Sequence, residues 1–315
     1  MNNNELTKKN EKYGFNFISK KLFLKLSCHK EPIICLSVLN DGRLVSGSED
    51  NNIIIYNKIT FEPELTIREH RDCIVSITII NKNILASCSR DKTIKLFKIE
   101  QDKCEIFQTL DYHKDWVYKI IELKNNNLIS CSNNRSIIFY YKDNNNTYQK
   151  DYEDSIYGSC LSISQVNEKE ICYLETRDYT YHFIRFYDLK EKKIKSSISK
   201  ISCTGSLGPF NIVTKNLLII GGKNILFMID TNLYQLIRSI NIINSGCIYG
   251  FCLLNENEFL TGDSKGIIRQ WKIEGDNIKE VCKKDKCHKG PIFAIVNIGN
   301  GLIASCSYDQ SIKIW

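Results

Sequence analysis

The sequence predicts an all-β protein: a seven-bladed β-propeller of four-stranded antiparallel blades, closed by an N-terminal strand that joins the last blade. Three observations lead there. Four segments share one internal frame, three more keep its spacing, and the two ends of the chain read as complementary parts of a single blade.

The frame is explicit from His29 to Tyr56, His70 to Phe97, His113 to Tyr140 and His288 to Trp315. In each, an aromatic residue stands 27 positions after the His, and an Asp or Asn stands 21 positions after it: Asp50, Asp91, Asn134 and Asp309. Between these marks comes an apolar run such as IICLSVL, a turn such as NDGR or NKN, then LVSGS or LASCS, a polar turn, and IIIY or IKLF. Short β-branched runs bounded by Asn, Asp and Gly read as strands. A fourth strand follows in FEPELTI at 61–67 and in CEIFQTL at 104–110. Units of 41 and 43 residues suit four short antiparallel strands, which make one blade.

Beyond the third copy the marks thin but the spacing continues. SIYGSCL at 155–161 and CIYGFCL at 247–253 read as openings of a fourth and a sixth blade, with Tyr152 and Asn244 in the His position. The fourth ends in TYHFIRFYD with Tyr187 as its aromatic; the sixth ends in GIIRQW at Trp271, with Lys265 where the Asp would be. SLGPFNIV, NLLIIGG and NILFMID form a degenerate fifth blade. Blade units therefore start near 29, 70, 113, 152, 203, 244 and 288, after a polar tail at 1–14, and residues 15–315 form one propeller.

A propeller with an open seam exposes an edge strand to other chains. Trp315 ends a third strand, and KLFLKLS at 21–27 reads as a strand with nothing before it to pair with. The expectation is that 21–27 supplies the outermost strand of the seventh blade, and that deleting 1–27 costs most of the stability.

These marks resemble the WD40-repeat family over residues 22–315, although Cys28, Glu69, Tyr112 and Cys287 stand where the family places a Gly before the His, and no Trp-Asp dipeptide occurs. The resemblance implies that the Asp sits in the turn between second and third strands beside the His, and that a second-strand Ser carries the bonding on to the aromatic. Those residues are His70, Ser87, Asp91 and Phe97 in the second blade and His288, Ser305, Asp309 and Trp315 in the last. His, Ser and Asp are also the parts of a nucleophilic site. A catalytic constellation occurs once, whereas these recur in blade after blade, so a structural role is expected and no catalytic residue is assigned. Phe97, Tyr56 and Tyr140 lack an indole N–H, and the bonding is expected to end at the Ser there.

The resemblance also implies where partners dock: on the face that carries the His loops, through side chains three and five positions after the His and the one before the Asp. The second set is Glu49, Arg90, Asn133 and Tyr308; the first contributes Trp116, Tyr118, Tyr157, Tyr249 and Phe293. Aromatic residues with an occasional Arg are typical interface anchors. A scaffold or adaptor that binds one or more proteins or peptides, as a monomeric ring within a larger complex, is the expected function. Few acids fall at these positions, which disfavours a propeller hydrolase.

Composition agrees. The chain has 315 residues, 43% of them apolar, with four Pro and sixteen Gly and no long apolar run. The start lacks the apolar stretch of a signal peptide, so a cytosolic location, or a nuclear one as well, is expected. A net charge of +7 is modest for this length and gives little support to nucleic-acid or membrane binding. The alternative it leaves is a basic seam of Lys20, Lys21, Lys25, Lys30, Lys279, Lys283, Lys284, Lys286 and Lys289 that meets RNA or an acidic surface. The fourteen cysteines are expected to be reduced. Cys88, Cys131 and Cys306 fill the middle of an SCS triplet, where a small residue suits packed sheets. Cys282, Cys287 and His288 lack CxxC spacing, so neither metal nor cofactor is assigned.

Overall fold

The computed structural model describes residues 17–81, 84–100, 103–177, 181–199, 201, 210–214 and 216–315; the tail at 1–14 and the expected blade start near 203 lie outside them. Among the described residues, twenty-eight strands form seven antiparallel sheets of four. Blade 1 comprises Ile33–Val38, Leu44–Ser48, Ile53–Tyr56 and Pro63–Ile67; blade 2, Ile74–Ile80, Ile84–Ser89, Ile94–Ile99 and Cys104–Leu110; blade 3, Val117–Glu122, Leu128–Ser132, Ser136–Lys142 and Tyr148–Ser155. Blade 4 comprises Ser159–Gln165, Glu170–Arg177, Tyr181–Asp188 and Lys193–Ile198; blade 5, Phe210–Thr214, Leu217–Gly222, Ile225–Asp230 and Gln235–Asn241; blade 6, Ile248–Asn255, Glu258–Asp263, Ile268–Glu274 and Asn277–Lys284. Blade 7 takes Ile292–Gly299, Leu302–Ser307 and Ile312–Ile314 from the C-terminal end and Leu24–Leu26 from the N-terminal end.

The first strand of each blade contacts the first strand of the next, and Ile292–Gly299 returns to Ile33–Val38, so the ring closes on its inner strands. The core is correspondingly divided. Seven apolar clusters each fill one seam between successive blades, such as Cys35, Val45, Ile74 and Phe97 between blades 1 and 2. The tightest position in each seam explains the SCS triplets. At the second-strand site held by Gly47 in blade 1, an added Cβ would lie 2.6 Å from Ile74, the first residue of the next blade's inner strand. Cys88, Cys131 and Cys306 occupy the same site and are fully buried. Burial pushes the Cys88 thiol well up, so it stays protonated and inert.

A bulge in the first strand sets the frame. In blades 1, 2, 3, 6 and 7 it skips Ile34, Val75, Tyr118, Tyr249 and Phe293, the fifth residue after the His position. Blade 4 carries its bulge at Leu161, which corrects the expected frame there. The His position of blade 4 is Ile156, whose N–H donates to Arg135 O at 2.8 Å as that of His288 donates to Gly266 O at 3.2 Å. Tyr152 instead belongs to the outer strand of blade 3, opposite Phe139, and Tyr157 follows the His position by one residue, not five. The outer strand of blade 3 runs through eight residues, Tyr148–Ser155, and so carries Tyr152 at the place where the spacing expects the next His position.

The seam between the chain ends is sealed twice. Leu24 pairs with Ile314, Lys25 with Lys313 and Leu26 with Ile312, and Phe23 N–H donates to Ile314 O at 2.8 Å. A 3₁₀ turn at Phe17–Ser19, which the sequence did not announce, then packs on blade 6. Phe17 is fully buried, its N–H donates to Gln270 Oε1 at 2.9 Å, and its ring meets that of Trp315 edge-on at 5.8 Å. The Lys284 ammonium stands over both rings and bonds Lys20 O.

Candidate functional site

In blades 1, 2 and 7 the buried His ring spans an Asp and a Ser. His70 Nδ1 lies 2.7 Å from Asp91 and Nε2 lies 2.7 Å from Ser87 Oγ; the shorter Asp contacts and Ser contacts are 2.9 and 2.7 Å for His29 with Asp50 and Ser46, and 3.0 and 2.8 Å for His288 with Asp309 and Ser305. Asp309 fixes the direction of this relay. Its carboxylate only accepts, so the neutral His288 donates Nδ1–H to it and accepts from Ser305 at Nε2, while Ser305 Oγ accepts the Trp315 Nε1–H at 2.9 Å. The expectation that the bonding ends at the Ser when the aromatic is not Trp holds for Phe97 but fails for the tyrosines. The hydroxyls of Tyr56 and Tyr140 reach Ser46 and Ser130 at 3.1 and 2.9 Å, because the phenol places an O–H where the indole places its N–H.

The Asp does more than hold the His. Asp91 accepts the N–H of Arg71 in the incoming loop and of Thr93 in its own turn, both at 3.0 Å, so one carboxylate pins two chain segments. Asp50 and Asp309 do likewise. Burial alone would raise the Asp50 carboxyl, but the bonds from His29 and the backbone hold it down at about 2. In blade 3 the neutral Asn134 takes this place, 3.3 Å from His113, while Ser130 stays at 2.6 Å from the other ring nitrogen.

Blades 4 and 6, which lack the His, carry a substitute that sequence reasoning missed. Asp263 stands in blade 6 at the place that Ser89, the second Ser of the SCS triplet, holds in blade 2; it is 1% exposed and accepts Arg269 Nη1 at 2.6 Å, Ser245 Oγ at 3.1 Å and the N–H groups of Lys265 and Ile267. Glu175 holds the same position in blade 4, fully buried, and accepts Nε–H of Arg177 at 2.5 Å and of Arg185 at 2.8 Å. The register puts Arg185 and Arg269 at equivalent places on their third strands. An Arg inside HFIRFY and GIIRQW, with an acid at the end of the preceding strand, was the available signal.

On the face carrying the His loops, Arg90 lies 4.7 Å over the Trp116 ring and 3.5 Å from Glu49, linking blades 1, 2 and 3. Trp116 remains 39% exposed. Tyr249 and Phe293 pack together at 5.7 Å across blades 6 and 7, and Tyr308 is 57% exposed on blade 7. Among the described residues no ring contact joins these two groups. Between blades 3 and 4 the same face opens into a cleft of about 680 Å³ lined in part by Tyr118, Asn133, Arg135, Tyr157, Ser159 and Arg177. Of the lysine seam, Lys284 is engaged at the closure and Lys20 Nζ donates to Gly301 O at 2.7 Å. Cys287 donates to Lys284 O and Cys282 to Gln270, while His288 is held by Asp309 and Ser305, so these three are engaged separately.

Residues 20–57, 61–98 and 279–315 match the family described as "WD domain, G-beta repeat". These are the three blades that keep both His and Asp. The chain is a WD-repeat β-propeller. Propellers of this family are typically protein-interaction scaffolds and are generally non-catalytic. Among curated proteins, this WD-repeat chain is similar to "Restriction of telomere capping protein 1" of Candida albicans strains WO-1 and SC5314. Each is 28% identical over 172 residues, covering 50% of this chain and 15% of the relative. The chain thus matches only a small part of those relatives' length.

The missing charge in blade 3 of this WD-repeat ring has a measurable consequence. Burial lowers His113 to about 4, with the Asn134 bond raising it only in part. As pH falls from about 6.5 through 4, the unfolded chain takes up a proton that the folded chain refuses, so His113 destabilises the fold over that window. Asn134→Asp supplies a carboxylate and is expected to move the imidazole midpoint upward by roughly a unit or more. Titration of the imidazole NMR signals checks this; an unmoved midpoint would show that the turn cannot bring a carboxylate to the ring.

Proposed function

We propose that this WD-repeat propeller is a non-catalytic scaffold that binds a protein or peptide on the face carrying its His loops. The observation that carries the reading is the Glu49, Arg90 and Trp116 array across three blades, where an Arg fixed over a half-exposed indole offers a rigid, amphipathic anchor. Tyr118, Tyr249, Phe293 and Tyr308 extend the same rim. The four frame histidines support a non-catalytic role, because each is buried and both of its ring nitrogens face side chains of its own blade.

The reading is tested by affinity purification of the intact chain beside a Trp116→Ala, Arg90→Ala variant. Both side chains are part-exposed, so the variant is expected to melt within about 1 kcal/mol of the parent. Quantitative mass spectrometry should show specific partners depleted by about tenfold or more, the effect of losing an anchor worth over 1 kcal/mol. An unchanged partner set with an unchanged fold would remove this face from consideration.

A further inference from the structure

The cleft between blades 3 and 4 holds more positive charge than its own structure uses. Glu175 is one carboxylate shared by two arginines, and it engages each through Nε. Among the described residues, the terminal Nη nitrogens of Arg177 and Arg185 have no hydrogen-bond or ion-pair partner. Their planes are nonetheless held. The Arg177 guanidinium lies 4.7 Å from the ring centres of both Tyr157 and Phe183, and Arg185 lies 4.7 Å from Phe183, so Tyr157, Arg177, Phe183 and Arg185 form one stack.

A second guanidinium lines the cleft beside that of Arg177. Arg135 occupies the left-handed position after Asn134, φ 60, with its side chain exposed and without an ion pair among the described residues. The acid on the cleft wall, Asp115, is held by Asn133 Nδ2–H at 2.7 Å and by the Trp116 N–H at 2.8 Å. Asn133 Oδ1 in turn accepts Ser159 Oγ–H at 2.9 Å and the Tyr118 hydroxyl at 3.3 Å, so the wall is set before any ligand arrives. Gly158 lets the Tyr157 loop sit close: a Cβ there would lie 2.4 Å from Thr176 O.

We propose that this cleft recognises a carboxylate side chain, Asp or Glu, of an extended peptide bound across the face; the inference rests on the proposed scaffold reading. A guanidinium fork presents paired N–H donors that match a planar carboxylate. Among the lining residues Asp115 is counted against Arg135 and Arg177, and Glu175 and Arg185 outside the lining offset each other, so one positive charge is left over, which suits a monoanion better than a dianionic phosphoryl group. Tyr157, 73% exposed, offers the apolar shelf for the residue beside the acid. The cleft adjoins the Trp116 anchor, since Asn133 N–H donates to Trp116 O at 2.9 Å.

The test is fluorescence anisotropy of the full chain with labelled decaglutamate, decaglutamine, and a matched peptide carrying phosphoserine in place of Glu. Decaglutamate should bind and decaglutamine should not. Arg135→Gln with Tyr157→Ala, both exposed and thus expected to leave the melting curve in place, should weaken decaglutamate binding by about tenfold, as loss of a charge-assisted contact does. Lys283→Gln with Lys286→Gln, at the seam, should change it by less than about twofold. Absent binding, binding indifferent to the Arg135 variant, or tighter binding of the phosphoserine peptide would each overturn the proposal. If the Trp116→Ala, Arg90→Ala variant still loses its purified partners in that event, the scaffold reading stands and only the carboxylate assignment falls.

Discussion

A chain that begins at Cys28, with residues 1–27 deleted, is expected not to fold into a stable monomer. The truncation removes the Leu24–Leu26 strand and leaves Ile312–Ile314 as an unpaired edge with its backbone groups open to other chains. It also removes Phe17, whose buried ring caps Trp315 in the seam between blades 6 and 7. A buried Phe→Ala change alone costs about 3–5 kcal/mol, and whole domains hold only about 5–15 kcal/mol in reserve. The truncated protein should therefore elute as aggregate, or unfold at much lower urea than the intact chain. Phe17→Ala in the intact chain separates the two seals, with about 3–5 kcal/mol lost and the strand still paired. Were the truncated chain to melt like the full one, closure through the N-terminal segment would contribute nothing.

Asp263→Ala is expected to be the most damaging single change in blade 6, at about 3–5 kcal/mol, because it strands Arg269 without its carboxylate in a site that is 1% exposed. Glu280, 3.4 Å from Arg269 Nε and partly exposed, is a weaker partner. Adding Arg269→Met to Asp263→Ala removes the orphaned charge and should recover much of the loss, since a hydrophobic replacement of a buried ion pair is often neutral. Urea midpoints of the parent, the single and the double variant check it. A single variant within about 1 kcal/mol of the parent would mean that Asp263 is not what holds the blade.

How far the site could be read in advance depended on the kind of contact. His70, Ser87, Asp91 and their counterparts recur at fixed offsets because every blade folds the same way, so one spacing locates them all. Spacing alone sets Tyr157 four residues out of frame in blade 4, because no His marks that blade and the eight-residue outer strand of blade 3 delays its opening. The tyrosine hydroxyls of Tyr56 and Tyr140 were overlooked for a different reason: their contact with Ser depends on the reach of a side chain across two strands, which spacing does not report.

By itself, the sequence determined the seven-blade count, the strand order within a blade, the sharing of blade 7 between the chain ends, and the need for small residues at Cys88, Cys131 and Cys306. These follow from local periodicity, which one chain displays along its length. Only the tertiary structure decided that Arg269 and Asp263 replace the His relay, that Phe17 locks the closure from blade 6, and that Arg135, Tyr157 and Arg177 line one cleft. Each of those depends on residues from different strands or blades coming within a few ångströms, and such proximity has no fixed spacing along the chain.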